Sequence, residues 1–263
     1  MPLTHANLLT VKSFGATDCG LVRGRNEDNF LIDDDRRVYA VADGLGGVPN
    51  GDKASLLAVQ MARDYYDEAV IRGDLFIREM FEQINRSVWQ EGHVHSPDLG
   101  MATTLTLAQI SGNLLAIGHV GDSGVYLYRG GTVRALTEEH TLKAAVSKTM
   151  NEEDRENIPE ALSHTLTRCI GQQQALEVDQ VNLPLQVNDR ILLCTDGVIK
   201  YVDAEFIERA FAVASSPEML VKLLLGEARD RGGMDNATAV AIFVSGPAQP
   251  AGRIFGLSSQ SSK

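Results

Sequence analysis

Between residues 103 and 136 four apolar segments, 103–110, 114–120, 125–128 and 132–136, follow one another across loops of only three or four residues. Loops that short join antiparallel strands, whereas a parallel crossover takes a dozen or more residues. The stretch is therefore expected to form an antiparallel meander. A hairpin precedes it, with strands at 29–33 and 37–43 around the acidic turn Asp33-Asp34-Asp35. Strand character returns at 177–183 and at 190–194; the second is a continuous apolar run of the kind buried on both faces. The last strand is expected at 237–244.

Helical spacing is found where the strands pause. From Asp52 the apolar positions Ala54, Leu57, Ala58, Met61 and Tyr65 recur at intervals of three and four, and further helices are expected at 75–89 and 217–230. The polar stretch 140–165, with the cluster Glu152-Glu153-Asp154-Arg155-Glu156, is read as a helical or mobile insertion. This order suits antiparallel sheets covered by helices better than alternating βα units. The expected fold class is α+β, a β-sandwich of two antiparallel sheets flanked by helices. One domain is expected over residues 8–246, followed by a flexible Pro-, Gly- and Ser-rich tail at 247–263.

Composition limits the partners. With 24 Lys and Arg against 35 Asp and Glu, the net charge of −11 repels nucleic acid and anionic lipid, and no local basic patch overrides it. No apolar run approaches the roughly 20 residues that span a bilayer, and Met1-Pro2-Leu3-Thr4-His5 lacks the basic region and apolar core of a signal peptide. Three scattered cysteines, Cys19, Cys169 and Cys194, fit a reducing compartment. The expectation is a cytoplasmic protein without nucleic-acid binding or membrane insertion.

In so acidic a chain, the informative carboxylates are those at the ends of apolar segments. Asp43 follows Val-Ala and precedes Gly44, Asp196 follows Cys-Thr and precedes Gly197, and Asp235 follows Gly-Gly-Met. A strand fixes where its last residue points, and glycine lets the backbone turn close to a ligand. Each Asp-Gly taken alone is an ordinary turn signal. Converging carboxylates repel one another, so such a cluster requires protons or a cation, and all-oxygen ligation favours Mg2+ or Mn2+.

Six motifs occur in order: Arg23-Gly24-Arg25-Asn26-Glu27-Asp28, Val41-Ala42-Asp43-Gly44-Leu45-Gly46-Gly47, Gly100-Met101-Ala102-Thr103-Thr104-Leu105, Val120-Gly121-Asp122-Ser123, Leu193-Cys194-Thr195-Asp196-Gly197 and Asp235-Asn236-Ala237-Thr238. Together they resemble the PP2C (PPM) family of metal-dependent serine/threonine protein phosphatases, in its bacterial form, over roughly residues 10–245. The resemblance implies αββα layers and a two-metal site for Mn2+ or Mg2+. In that site Asp43 bridges both ions, the Gly44 carbonyl binds one, and Asp196 and Asp235 hold the other. Glu27 and Asp28 complete the site directly or through water, and Asp122 helps to hold a looser third ion in some members. Arg23 corresponds to the arginine that grips the substrate phosphate, and 141–165 to the family's flap. The implied activity is hydrolysis of phosphoserine and phosphothreonine monoesters in proteins by water activated at the metal centre, opposing a bacterial serine/threonine kinase. A catalytically inert sensor or adaptor, and an enzyme acting on small phosphate esters, are the alternatives.

Other readings compete at single residues. Cys19 and Arg25 show the Cys-x5-Arg spacing of cysteine phosphatases, but Asp18 beside the thiol disfavours a thiolate. Gly44-Leu45-Gly46-Gly47 misses the dinucleotide-binding spacing, and His93 and His95 are read as solvated. Leu45 stands where some family members carry a histidine that protonates the leaving group, which leaves His140 and His164 as candidates for that role. Asn236 and Thr238 are expected to orient Asp235 and satisfy nearby backbone, Asp52 to favour a helix N-terminus, and Thr103 and Thr104 to be ordinary strand residues.

Overall fold

A computed structural model describes residues 9–47, 49–68, 74–151 and 158–246. Its ten strands form two five-stranded antiparallel sheets. One has the order β1 (Thr10–Asp18), β10 (Ala237–Ser245), β9 (Arg190–Cys194), β6 (Gly124–Arg129), β7 (Thr132–Ala135). The other runs β2 (Asp28–Asp33), β3 (Val38–Asp43), β4 (Leu105–Ser111), β5 (Leu114–Val120), β8 (Asp179–Pro184). Strand alternation sorts the side chains into three cores. Tyr39 and Val41 of β3 face Ile191 and Leu193 of β9 and Val240 and Ile242 of β10 inside the sandwich. Ala40 and Ala42, one residue out of phase, face α1 (Gly51–Glu68) and α2 (Asp74–His95), packing on Ala54, Ala58, Phe81 and Ile84. On the other side, Leu192 and Cys194 meet α5 (Ala204–Val213) and α6 (Pro217–Asp230) through Phe211, Leu220 and Leu224. Both sheets are thus covered on both faces, which explains the unbroken apolar runs of β3 and β9.

Three expectations change, and neither β1 nor the single helical turn Asp196–Ile199 was expected. The stretch 103–136 is not one meander: β4–β5 and β6–β7 are hairpins, but β5 and β6 lie in different sheets. The chain crosses at Gly121, whose φ of +119° a residue with a side chain would rarely adopt, and where a Cβ would come 2.5 Å from Thr104 Cβ. Helix α2 continues to His95, past the expected end at residue 89, through a final turn whose Val94 is exposed and so gives no apolar period. Helix α5 was not expected, although Asp203 caps it by accepting from the Phe206 N–H at 2.7 Å and Ile207, Ala210 and Phe211 recur at helical spacing.

The insertion carries a short helix, α3 (Leu142–Ser147), whose Thr141 cap accepts from the Ala144 N–H, and one 3-10 turn, Glu160–Ser163. Its two arms are joined by hydrogen bonds from the Leu142 N–H to the Thr165 carbonyl and from the Thr167 N–H to the His140 carbonyl. The acidic cluster at 152–156 and the tail at 247–263 lie outside the described residues. Among the described residues, no helix is long and apolar enough to cross a membrane.

Candidate metal centre

Asp43 ends β3 in one sheet, and Asp196 opens the single-turn helix α4 (Asp196–Ile199) just after β9 in the other, so both carboxylates emerge at the same end of the sandwich. Asp122 joins them from the crossing between the sheets. One carboxylate oxygen from each of the three lies within 4.8 Å of the others. The close turns require glycine: a Cβ on Gly44 would sit 2.3 Å from the Gly51 carbonyl oxygen, and one on Gly197 1.9 Å from the Asn236 carbonyl oxygen. Asp43 is also clamped through its backbone. Its N–H donates to Thr104 Oγ1 at 2.9 Å, and its carbonyl accepts from the Thr104 N–H and from Thr103 Oγ1, each at 2.8 Å. Thr103 and Thr104 were expected in a strand but precede β4, Thr103 in isolated bridges to Gly44 and Ile170, and they set the height of Asp43 in the site.

The three aspartates floor a cleft of about 440 Å3 whose walls include Arg23, Glu27, Gly44, Asp235 and Asn236. Asp28 lies beneath, opposite Asp43 in the β2–β3 register and buried. Its Oδ2 accepts from Thr195 Oγ1 at 2.8 Å and from Thr238 Oγ1 at 2.6 Å. Thr195 Oγ1 in turn accepts the Thr238 N–H, and Thr238 Oγ1 takes a hydrogen bond from Thr17, which takes one from Asn26 Nδ2. Each hydroxyl proton thus points toward Asp28. Thr238 serves this carboxylate, not Asp235 as the sequence suggested.

Two buried carboxylate oxygens, Asp28 Oδ1 and Asp196 Oδ1, have no hydrogen-bond partner among the described residues. Burial, reinforced by Asp196 and Asp235, raises the Asp28 carboxyl to about 7 against the two hydroxyls that favour its charge. Burial and the charges of Asp28 and Asp196 push Asp43 well up as well. A buried carboxylate oxygen without a donor calls for a proton or a cation. Orphaned oxygens in an all-oxygen cluster fit hard divalent ions such as Mg2+ and Mn2+.

The walls are built by loops from opposite ends of the chain. Asn236 Nδ2 donates to the carbonyls of Cys19 and Arg25, its Oδ1 accepts the Glu27 N–H, and its own N–H donates to Asp235 Oδ1. This one amide therefore seats both Glu27 and Asp235. Arg23 Nη2 donates to Asp235 Oδ2 at 2.8 Å, while Nη1 lies over Gly46 near Glu27. The Cys-x5-Arg spacing forms no phosphate loop, since Arg25 turns to Asp52 at 3.1 Å and the Cys19 thiol contacts the Arg23 carbonyl.

Of the two histidine candidates, His164 lines the cleft and His140 does not. His140 is buried; its Nδ1 accepts the Gly121 N–H, which places its proton on Nε2, facing Asp179 at 3.3 Å. His93 packs at a tilt against Trp89 and bonds to that residue's carbonyl, and the side chain of His95 lies outside the described residues. The group that sequence reading missed is Lys200. Its Nζ lies 2.7 Å from Asp196 Oδ2 and 3.0 Å from Asp122 Oδ2. The only local signal was its position four residues after Asp196, on the same side of a helical turn.

The family model described as protein phosphatase 2C matches residues 23–224. The chain belongs to that family. It is thus a phosphoprotein phosphatase, in agreement with the motifs and with the two-sheet fold. A serine/threonine phosphatase, stp, of Listeria welshimeri is 32% identical over 236 residues, covering 86% of this chain and 93% of the relative. The serine/threonine protein phosphatase PstP of Mycobacterium tuberculosis is 34% identical over 246 residues, which are 90% of this chain and 45% of that longer protein. Among solved structures, the catalytic domain of PstP in complex with two manganese ions superimposes with a TM-score of 0.78 at 30% identity, over 90% of this chain and 99% of that one. PppA of Pseudomonas aeruginosa gives 0.79 at 27% identity, over 90% and 99%.

Proposed function

We propose that this phosphatase hydrolyses phosphoserine and phosphothreonine monoesters of proteins with two bound Mn2+ or Mg2+ ions, in the cytoplasm and in opposition to a serine/threonine kinase. The observation that carries the metal centre is the pair of buried oxygens on Asp28 and Asp196 that have no hydrogen-bond partner among the described residues, beside the half-buried Asp43. Asp43, Asp196, Asp235, Glu27, Asp28 and the Gly44 carbonyl are the proposed ligands, directly or through water. Divalent ions, when bound, supply the electrophilic charge and the activation of water that the hydrolysis needs.

The chain's own residues do the rest. Arg23, about half exposed at the rim, offers a planar guanidinium whose fork suits two phosphate oxygens, and it can exchange Asp235 for an incoming dianion. Asn236 keeps Glu27 and Asp235 in place while that exchange occurs. Leu45 has no proton to give the departing alkoxide, so His164, the one candidate imidazole that lines the cleft, is the proposed donor. The domain is proposed to comprise residues 8–246, with 141–165 as the flap beside the cleft.

Phosphate release from a phosphothreonine peptide, with and without Mn2+, tests the reading. Activity should require metal, collapse in Asp196→Asn and persist in Cys19→Ser. Metal-loaded wild type that turns over neither the peptide nor an aryl phosphate would leave a binding module in place of an enzyme.

A further inference from the structure

The acidic site already contains a cation. Lys200 Nζ lies 2.7 Å from Asp196 Oδ2, 3.0 Å from Asp122 Oδ2 and 3.4 Å from His164 Nδ1. Its side chain is 13% exposed, and the Asp122 side chain 7%. The helical turn that begins at Asp196 ends at Lys200, whose own N–H bonds to the Asp196 carbonyl at 2.9 Å, so one rigid turn positions both groups. Burial works against the ammonium, but the charges of Asp196 and Asp122 outweigh it and hold its pKa above the ordinary lysine value.

The two oxygens of Asp196 are therefore divided. Oδ2 is neutralised by Lys200, while Oδ1 is buried without a hydrogen-bond partner among the described residues, in a carboxylate that faces Asp43. Asp122 is spent on the same ammonium. A divalent ion held by Asp122 and Asp196 Oδ2 would need to approach each oxygen to about 2.1 Å, inside the space that the ammonium fills. Contact and like charge both exclude it.

We propose that Lys200 takes the place of a third metal ion in this site, so that the protein binds two divalent ions and Asp122 acts as the lysine's partner instead of a ligand. The inference rests on the two-metal reading above. It also gives His164 a fixed positive neighbour at the cleft wall.

Mn2+ bound per chain, counted from the loss of the free-ion resonance signal, tests it on the full-length protein. Wild type should saturate at two ions, Lys200→Asp at three, and Asp122→Asn should still hold two. Three ions on wild type, or loss of an ion in Asp122→Asn, would overturn the proposal while leaving the metal centre intact. So would Lys200→Asp stopping at two with an unchanged melting curve. If wild type bound no Mn2+ at all, the metal-centre reading itself would fall, and this inference with it.

Discussion

Replacing Thr238 with valine removes one oxygen from the interior and tests how the site tolerates a buried charge. Thr238 is fully buried, and its hydroxyl reaches Asp28 Oδ2 at 2.6 Å. Valine keeps the branched shape, and the freed Thr17 hydroxyl is exposed and can turn to water. The main loss is one hydrogen bond to a charged acceptor, about 1.5–3 kcal/mol when Asp28 is ionised and about 1 kcal/mol when it is not. That difference raises the Asp28 carboxyl by roughly one further pKa unit, at about 1.4 kcal/mol per unit.

The sign follows from the direction of the shift. Because Asp28 titrates near 7 in the folded protein, above its unfolded value, the metal-free fold loses stability as the pH rises from about 4 through 7. The variant should lose more over the same interval. At pH 8 without metal, Tm should fall by about 4–10 °C, and at pH 5 by about half as much or less. Mn2+ affinity should weaken by about 10–100-fold, as for other residues that orient a metal ligand. Thermal melts at the two pH values and a Mn2+ titration measure all three quantities. An equal Tm loss at both pH values together with unchanged Mn2+ affinity would show that the hydroxyl only packs, and the account of Asp28 would be wrong.

Two further outcomes concern the scaffold. Arg129→Met leaves the buried Asp189 carboxylate without its two-pronged partner at 2.6 and 2.7 Å, with the Gln186 N–H as its remaining donor among the described residues. Because the guanidinium is partly exposed, urea unfolding should show a loss near the lower end for a broken buried pair, about 3 kcal/mol, with Mn2+ binding and phosphate release unchanged; a loss below about 0.5 kcal/mol would make the pair a solvated one. His119, sandwiched between the Thr106 hydroxyl and the Glu138 carbonyl, is held neutral by burial and by His140, with its pKa lowered to about 3. Its contribution is present above pH 6.5 and fades as the pH falls toward 3, so the stability gap between wild type and His119→Gln should narrow from pH 7 to pH 5; a constant gap would mean that the imidazole protonates inside the fold.

Periodicity made the elements with one clear buried face readable. The bounds of β9 and α6 match those expected from sequence because each apolar pattern ends at a polar residue or a cap, such as Ser216 accepting the Met219 N–H before α6. Asp43 and Asp196 were legible for a related reason: strand, carboxylate and glycine are adjacent, so local geometry alone aims the side chain. The single-turn α4 was too short to show a period, and α5 has only one buried face of three residues.

The sequence by itself therefore determined the pairing pattern within hairpins, the acidic strand ends and, through six ordered motifs, the family. Tertiary structure decided which groups meet. Gly121 splits the expected meander between two sheets and so delivers Asp122 to the cluster. Thr195 and Thr238 find Asp28 across 167 and 210 residues of chain, and Asn236 bridges to Glu27 across 209. Alternation records that a side chain is buried but not which carboxylate it will face, because hydrogen-bond partners are chosen only when the two sheets close on each other. Lys200 shows the same limit: its place on the turn was local, but its neutralisation of Asp122 depended on a crossing 78 residues away.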